Sequence, residues 1–457
     1  MSCCHPERNR AKRGGVEGSC GCLFSDKEEI RFPGINKAMS LTDFIYRMLK
    51  YGMSKGRNFK NSEAVPSPAI VDRKSMGNFI AELRTCGYDL ANCAKRLGVI
   101  PRCGVNFWWV RNSNSWSPVE ADPVDTLLEV FIGGYEVPIS RMTAHLSSAS
   151  IDAALEMRLL EKDGEILKSR LCLFPCCGKF IATDRAQKNT AINQVMWLFT
   201  ESFLLGGMVK RSPRRRGIDL GTGSGVHALL ASDHCESVIG VDVNPRAIEF
   251  SRFNAALNGI ENVEFILSDL FNSLDPGMTF DLLTANPPYV PDLATKAGNN
   301  FWSGGPEGTR ILRRIIEAIP TRLDKDGVAN IVSLYPIPPR TGIKDYFNEL
   351  LGGHVDAYDV LDFTWPVPRY QENVSEIPYT GDKSAWRWGV VSLRQGSGWW
   401  KEAAGEMLFF RNDGSCSVIA DYDALPEASP AVPGSGARPV GTADGAVPCH
   451  STAATGH

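Results

Sequence analysis

The run from Gly217 to Tyr289 restricts this chain more than any other feature. Ile218-Asp219-Leu220 closes a short apolar strand, Gly221-Thr222-Gly223-Ser224-Gly225 forms a tight turn, and an apolar helix opens at Val226. A second strand, Ser237–Val241, ends at Asp242. Asn244 and Pro245 then supply a helix N-cap and first turn, and Asn258-Gly259 stops that helix. A third strand, Val263–Leu267, ends in Ser268-Asp269-Leu270-Phe271, and a fourth, Phe280–Ala285, delivers Asn286-Pro287-Pro288-Tyr289. Strands alternating with helices in this way imply an α/β fold with a parallel sheet and right-handed crossovers. The ligand site of such a sheet lies at the carboxyl ends of its strands.

The residue types along those strand ends fit a nucleotide. Glycines at the first turn let the backbone approach a ligand closely, and the helix that follows offers free N–H groups at its start. The spacing is G-x-G-x-G, with Val226 standing where a dinucleotide fingerprint wants a third glycine. Alone, this reads equally well as an ordinary tight turn. Asp242 changes the balance, because it ends the adjacent strand about twenty residues further on, where a carboxylate accepts both hydroxyls of a ribose.

Asn286-Pro287-Pro288-Tyr289 after such a strand, with the glycine turn and Asp242 upstream, resembles the amino-methyltransferase branch of the class I S-adenosylmethionine-dependent methyltransferases. Asp219, Gly221, Gly223, Gly225, Asp242, Asp269 and Asn286–Tyr289 match. The pattern is similar to the release-factor glutamine N5-methyltransferases and the related methyltransferase small domain proteins. The resemblance implies a Rossmann-like sheet of seven strands, the last pair, His354–Leu361 and Trp388–Leu393, forming an antiparallel hairpin at one edge. It implies S-adenosyl-L-methionine as cofactor, held by Asp219, Gly221, Thr222, Gly223, Gly225, Asp242, Val243, Asp269, Leu270 and Asn286, with Asp269 and Leu270 at the adenine. A Gly-rich loop, Ser303–Gly308, a helix from Thr309 to Leu323 and a strand over Val328–Leu334 extend the likeness to about Pro336.

The tetrapeptide suits methyl transfer to nitrogen. A sulfonium methyl is already a good electrophile, so the main task is to align a lone pair with the methyl–sulfur bond. Amide nitrogens are planar, and acceptors for both N–H bonds draw them toward tetrahedral geometry. The Asn286 oxygen and the Pro287 carbonyl fit that role. Two prolines hold the loop extended, and Tyr289 can stack on a planar group. The expected catalytic set is therefore Asn286, Pro287, Pro288 and Tyr289, with no metal. The expected reaction is N-methylation of an amide or amine of a protein, peptide or small metabolite. The alternative is an exocyclic amine of RNA or DNA (adenine N6 or guanine N2), because the same motif serves there. Small-molecule O-methylation and a catalytically silent winged-helix binding protein are further readings.

The 457 residues carry a net charge of −3, which gives no global attraction for nucleic acid or an anionic membrane. The strongest basic run, Lys210–Arg216, reads as a solvated linker or as an edge gripping a polyanion. No apolar run spans a bilayer, the basic N-terminus lacks a secretory signal, and the 13 cysteines read as reduced thiols of a cytoplasmic protein. Cys3, Cys4, His5, Cys20 and Cys22 lack metal-site spacing.

Five segments are expected. Residues 1–38 and 425–457 are disordered tails. Residues 39–210 form a helical, winged-helix-like domain for substrate or dimerisation. Residues 211–400 form the cofactor domain, and 401–424 a small hairpin near Met407–Ile419. Within 39–210 the pattern predicts helices over Thr42–Leu49, Asn78–Leu83 and Leu90–Leu97. Helices over Val124–Ile132, Pro138–Leu146 and Ser148–Leu160 come next, the third with an acidic face of Asp152, Glu156 and Glu161. A strand, Glu165–Phe174, and its return near Phe180–Ala182 follow. Residues 362–386 form a lid or a cover for the sheet edge.

Overall fold

The computed structural model describes residues 65–97, 117–185, 193–291, 303–338, 340–366, 385–396, 398, 400–402, 409–410 and 416–417. The expected Thr42–Leu49 helix, the N-terminal cysteines and both tails lie outside them.

The N-terminal unit begins with α1 (Arg73–Thr85) and α2 (Leu90–Leu97). Asp72 caps α1 by accepting from the Ser75 N–H, and Met76, Phe79, Ile80 and Leu83 form its buried stripe. Next come α3 (Pro123–Leu127), β1 (Val137–Pro138), α4 (Ile139–Thr143), α5 (Ser148–Glu156), β2 (Glu161–Asp163) and β3 (Ile166–Lys168), with strand order β1-β3-β2. A second hairpin pairs β4 (Leu171–Cys176) with β5 (Lys179–Asp184).

Several bounds differ from expectation. The helix predicted through Ile132 widens into a π-turn over Leu128–Gly133. Pro138 sits in β1 rather than in a helix, and α5, capped by Ser147, ends at Glu156 rather than Leu160. The single strand predicted over Glu165–Phe174 is divided at Ser169, whose hydroxyl lies 2.6 Å from the Leu159 carbonyl and 2.8 Å from that of Leu171. A side chain bonded to local backbone in this way interrupts the ladder. Cys86, Cys93, Cys172, Cys176 and Cys235 are free thiols. Cys177, in the turn between β4 and β5 at φ 49°, is disulfide-bonded, which corrects the expectation of reduced thiols throughout.

The larger unit contains α6 (Thr200–Met208), β6 (Arg214–Leu220), α7 (Val226–Ala231), β7 (Cys235–Asp242), α8 (Pro245–Leu257), β8 (Val263–Leu267) and β9 (Phe280–Ala285). It continues with α9 (Arg310–Arg322), β10 (Leu323–Ile337), α10 (Ile343–Leu350), β11 (Tyr358–Pro366), β12 (Ala385–Gln395) and β13 (Trp400–Glu402). The sheet order is β13-β11-β12-β10-β9-β6-β7-β8. From β8 to β10 the pairs are parallel, and β12 runs antiparallel to both β10 and β11. This is the expected seven-stranded mixed sheet with its terminal antiparallel pair. The eighth strand, β13, pairs parallel with β11 and was not foreseen.

The hairpin arms are longer than the sequence implied. A 3-10 turn occupies Val355–Ala357, and β11 continues to Pro366, so both ends of the 362–386 segment are strand. Residues 367–384 lie outside the described set. Lys401 and Glu402 extend the main sheet, while the later hairpin pairs β14 (Phe409–Phe410) with β15 (Cys416–Ser417).

The two units are stitched together through side-chain amides. Asn254 accepts from the Ala182 N–H at 2.8 Å and donates to the Ala182 carbonyl at 2.9 Å and the Ser224 carbonyl at 2.8 Å. Asn258 exchanges the same pair of bonds with Phe180. The free edge of β5 is thus paired by α8 instead of by another strand. Arg246 pairs with Asp184 and donates to the Val65 carbonyl.

The basic run is consumed at the amino end of the sheet. Arg214 donates to the Asp326 carbonyl, Arg215 pairs with Asp324, and the backbone N–H groups of Arg215 and Arg216 meet the Asp281 carboxylate. Arg214–Arg216 are already part of β6, so the linker expected over Lys210–Arg216 is shorter than the basic run. Among the described residues no helix is long and apolar enough to cross a membrane.

Candidate functional site

A cavity of about 330 Å³ opens where β6, β7, β8 and β9 end. Gly221, Thr222, Gly223, Asp242, Val243, Asp269, Leu270, Asn286 and Pro288 lie on its wall, brought together from four strand ends. Asp219, Gly225, Pro287 and Tyr289 do not line it.

The absent four have other work. Asp219 is buried under the turn, where its carboxylate accepts from Thr222 Oγ1 at 2.7 Å, Thr284 Oγ1 at 2.9 Å and the Ala228 N–H at 3.3 Å. Burial outweighs those bonds and raises its pKa to about 6. Those bonds hold the turn in shape. Gly225, at φ 83°, is a packing glycine, because a Cβ there would come within 2.9 Å of the Ser251 Cβ. Tyr289 is buried in the core, so the expected stacking on an acceptor is not supported. The loop above pins it: Val290 bridges to Ser303, and Gly308 lies directly against the Tyr289 carbonyl. Pro287 is buried beside it.

Half-buried Asp242 accepts from the Gly223 N–H at Oδ2 and the Asn244 N–H at Oδ1, both at 2.9 Å. Each oxygen keeps a lone pair for a hydroxyl. Burial raises its pKa against those backbone bonds. Val243 stands 54% exposed at the lip, an apolar surface ready to be covered by a flat ring. Leu270 adopts φ 52°, an unusual left-handed conformation for leucine, with its carbonyl held by the Ser268 hydroxyl at 2.8 Å. Asp269 is engaged at both oxygens, 2.9 Å each, by Arg314 of α9, so its carboxylate is tied to the helix behind the acceptor loop. Asn286, at the end of β9, has no hydrogen-bond partner for its side chain among the described residues, which leaves its amide free for a ligand.

Sequence reasoning missed a whole wall. Gln194, Met196, Trp197, Leu198 and Ser202, from the connector and the start of α6, line the same cavity as the glycine turn, together with His227 of α7. Ser303, Arg310 and Ile311 complete the lining. The residues present fit S-adenosylmethionine: a left-handed glycine turn, a ribose-type carboxylate, an exposed apolar lip and a free amide meet in one cavity.

Residues 200–352 match the family model of the methyltransferase small domain. A Methanocaldococcus jannaschii protein described as a protein N5-glutamine methyltransferase is 35% identical over 138 residues, covering 29% of this chain and 66% of that one. A release factor glutamine methyltransferase of Rhodopirellula baltica is 30% identical over 168 residues, covering 34% and 56%. The ribosomal protein uL3 glutamine methyltransferase of Xylella fastidiosa is 32% identical over 124 residues, covering 25% and 39%. The chain thus spans less than two thirds of the length of these relatives. Sheet order, strand-end residues and the match over residues 200–352 agree: that part of the chain is a methyltransferase small domain of the class I S-adenosylmethionine-dependent methyltransferases.

Proposed function

We propose that this protein methylates the side-chain amide nitrogen of a glutamine in a protein acceptor. The observation that carries the reading is Asn286, an unengaged amide on the same cavity wall as Asp242 and the glycine turn. Its likeness to enzymes named for glutamine in release factors and in a ribosomal protein supports the acceptor class.

When bound, the cofactor supplies an electrophilic methyl on a sulfonium. Gly221–Gly223 and Asp242 would hold its nucleoside, and Val243 and Leu270 would flank the base. Asn286 accepts an N–H of the incoming amide and fixes the nitrogen in line with the methyl. With that methyl as the electrophile, the amide nitrogen held by Asn286 would be the attacking group, and its surplus proton would pass to water. Alignment supplies most of the acceleration, because the reacting groups are held in a near-attack pose. The strongest basic run is spent at the opposite end of the sheet from the cavity, which favours a protein over a nucleic acid as acceptor.

Labelled S-adenosylmethionine offered to separate protein, RNA and metabolite fractions tests this. Label is expected in protein, recovered on digestion as N5-methylglutamine. Label entering RNA alone would sink the proposal.

A further inference from the structure

The sulfur of S-adenosylmethionine carries three substituents: a nucleoside, the methyl and an aminocarboxypropyl chain. Asp242, Val243 and Leu270 face the first, and Asn286 must face the second. The remaining wall, from the connector and α7, has no use in that reading. It holds two buried polar side chains with unmet atoms. Gln194, 6% exposed, spends its NH₂ on the Arg185 carbonyl at 2.8 Å, which leaves Oε1 an acceptor without a partner among the described residues. His227, 5% exposed, has no hydrogen-bond partner at either ring nitrogen among the described residues. Native proteins rarely leave such groups unmet unless a ligand completes them.

Resting on the cofactor reading above, we propose that Gln194 and His227 bind the amino-acid end of the cofactor: Gln194 Oε1 accepts from the ammonium, and the His227 imidazole N–H donates to the carboxylate. The chemistry of the two groups is complementary to that zwitterion. The Gln194 amide is fixed with its oxygen outward, because only the NH₂ can donate to the Arg185 carbonyl. Burial and the charge of Arg211 push the His227 pKa down to about 3, so the ring is neutral at physiological pH and keeps one N–H to donate.

Calorimetric titration of the full chain with two ligands tests the assignment. S-adenosylhomocysteine carries the amino-acid end, and 5′-methylthioadenosine keeps the nucleoside and sulfur without it. His227→Ala and Gln194→Leu are each expected to weaken S-adenosylhomocysteine roughly tenfold while changing 5′-methylthioadenosine by less than about twofold. His227→Asn, which retains an N–H donor, should recover part of the loss. A thermal melt run beside each titration identifies any variant that fails to fold, in which case His227→Asn carries the comparison. Equal losses for both ligands, or undiminished affinity for S-adenosylhomocysteine, would overturn the assignment and leave the proposed function standing. A wild-type chain that binds neither ligand would overturn both.

Discussion

Asn286 and Asp242 divide the labour at the site, and their substitutions should separate accordingly. Asn286→Ala is expected to abolish methyl transfer while leaving cofactor affinity nearly intact; a mutant as active as wild type would remove the amine-positioning role. Asp242→Ala should weaken cofactor binding by about 1.5–3 kcal/mol, since it removes a charge-assisted acceptor for two hydroxyls and frees two backbone donors. Affinity measured by calorimetry checks it. His227 gives a pH signature. Its folded pKa of about 3 lies below the ordinary 6.5, so the stability it contributes is complete above 6.5 and is lost as pH falls toward 3. Asp219, raised to about 6, works in the opposite sense, gaining stability as pH falls from about 6 toward 3.8. Replacing His227 with Asn should therefore flatten the loss of stability between about pH 6.5 and 5 in urea titrations. An unchanged slope would reject the buried neutral ring.

At the scale of elements, the glycine turn and α7 form one rigid piece. Asp219 bonds the turn through Thr222 and the helix through the Ala228 N–H, while Gly225 lets α7 approach Ser251 of α8. Gly225→Ala faces both a left-handed φ and a Cβ contact of 2.9 Å. It should cost about 1–3 kcal/mol of stability, read as a fall in melting temperature. The three glycines look alike in the sequence, and their different duties do not. Gly221 has open space where a Cβ would stand, and Gly225 has none. Spacing locates such a turn, but neighbours brought from α8 and β8 decide which glycine meets a ligand and which meets the core.

At the scale of the molecule, one apolar cluster runs from Met76 in α1 to Val390 in β12, so the N-terminal unit and the sheet share a core. Asn254 and Asn258 reinforce this by pairing the β5 edge. Asn254→Ala strips three buried bonds and orphans the Ala182 backbone, a loss on the order of 3 kcal/mol. Wild-type unfolding should appear as a single calorimetric transition, and two well-separated transitions in the wild type would refute the shared core.

Much of this was legible in the residues. Gly221–Gly225, Asp242, Asp269 and Asn286 each sit at a strand end that local patterning locates, and period and punctuation are properties of neighbours in the chain. What only the tertiary structure decided are the partners at long separation. Arg314 claims Asp269 from 45 positions away, Asn254 reaches Ala182 across 72, and the connector around Gln194 becomes the third wall of the cavity. Such contacts follow from how packed elements approach one another, and no local pattern encodes that approach.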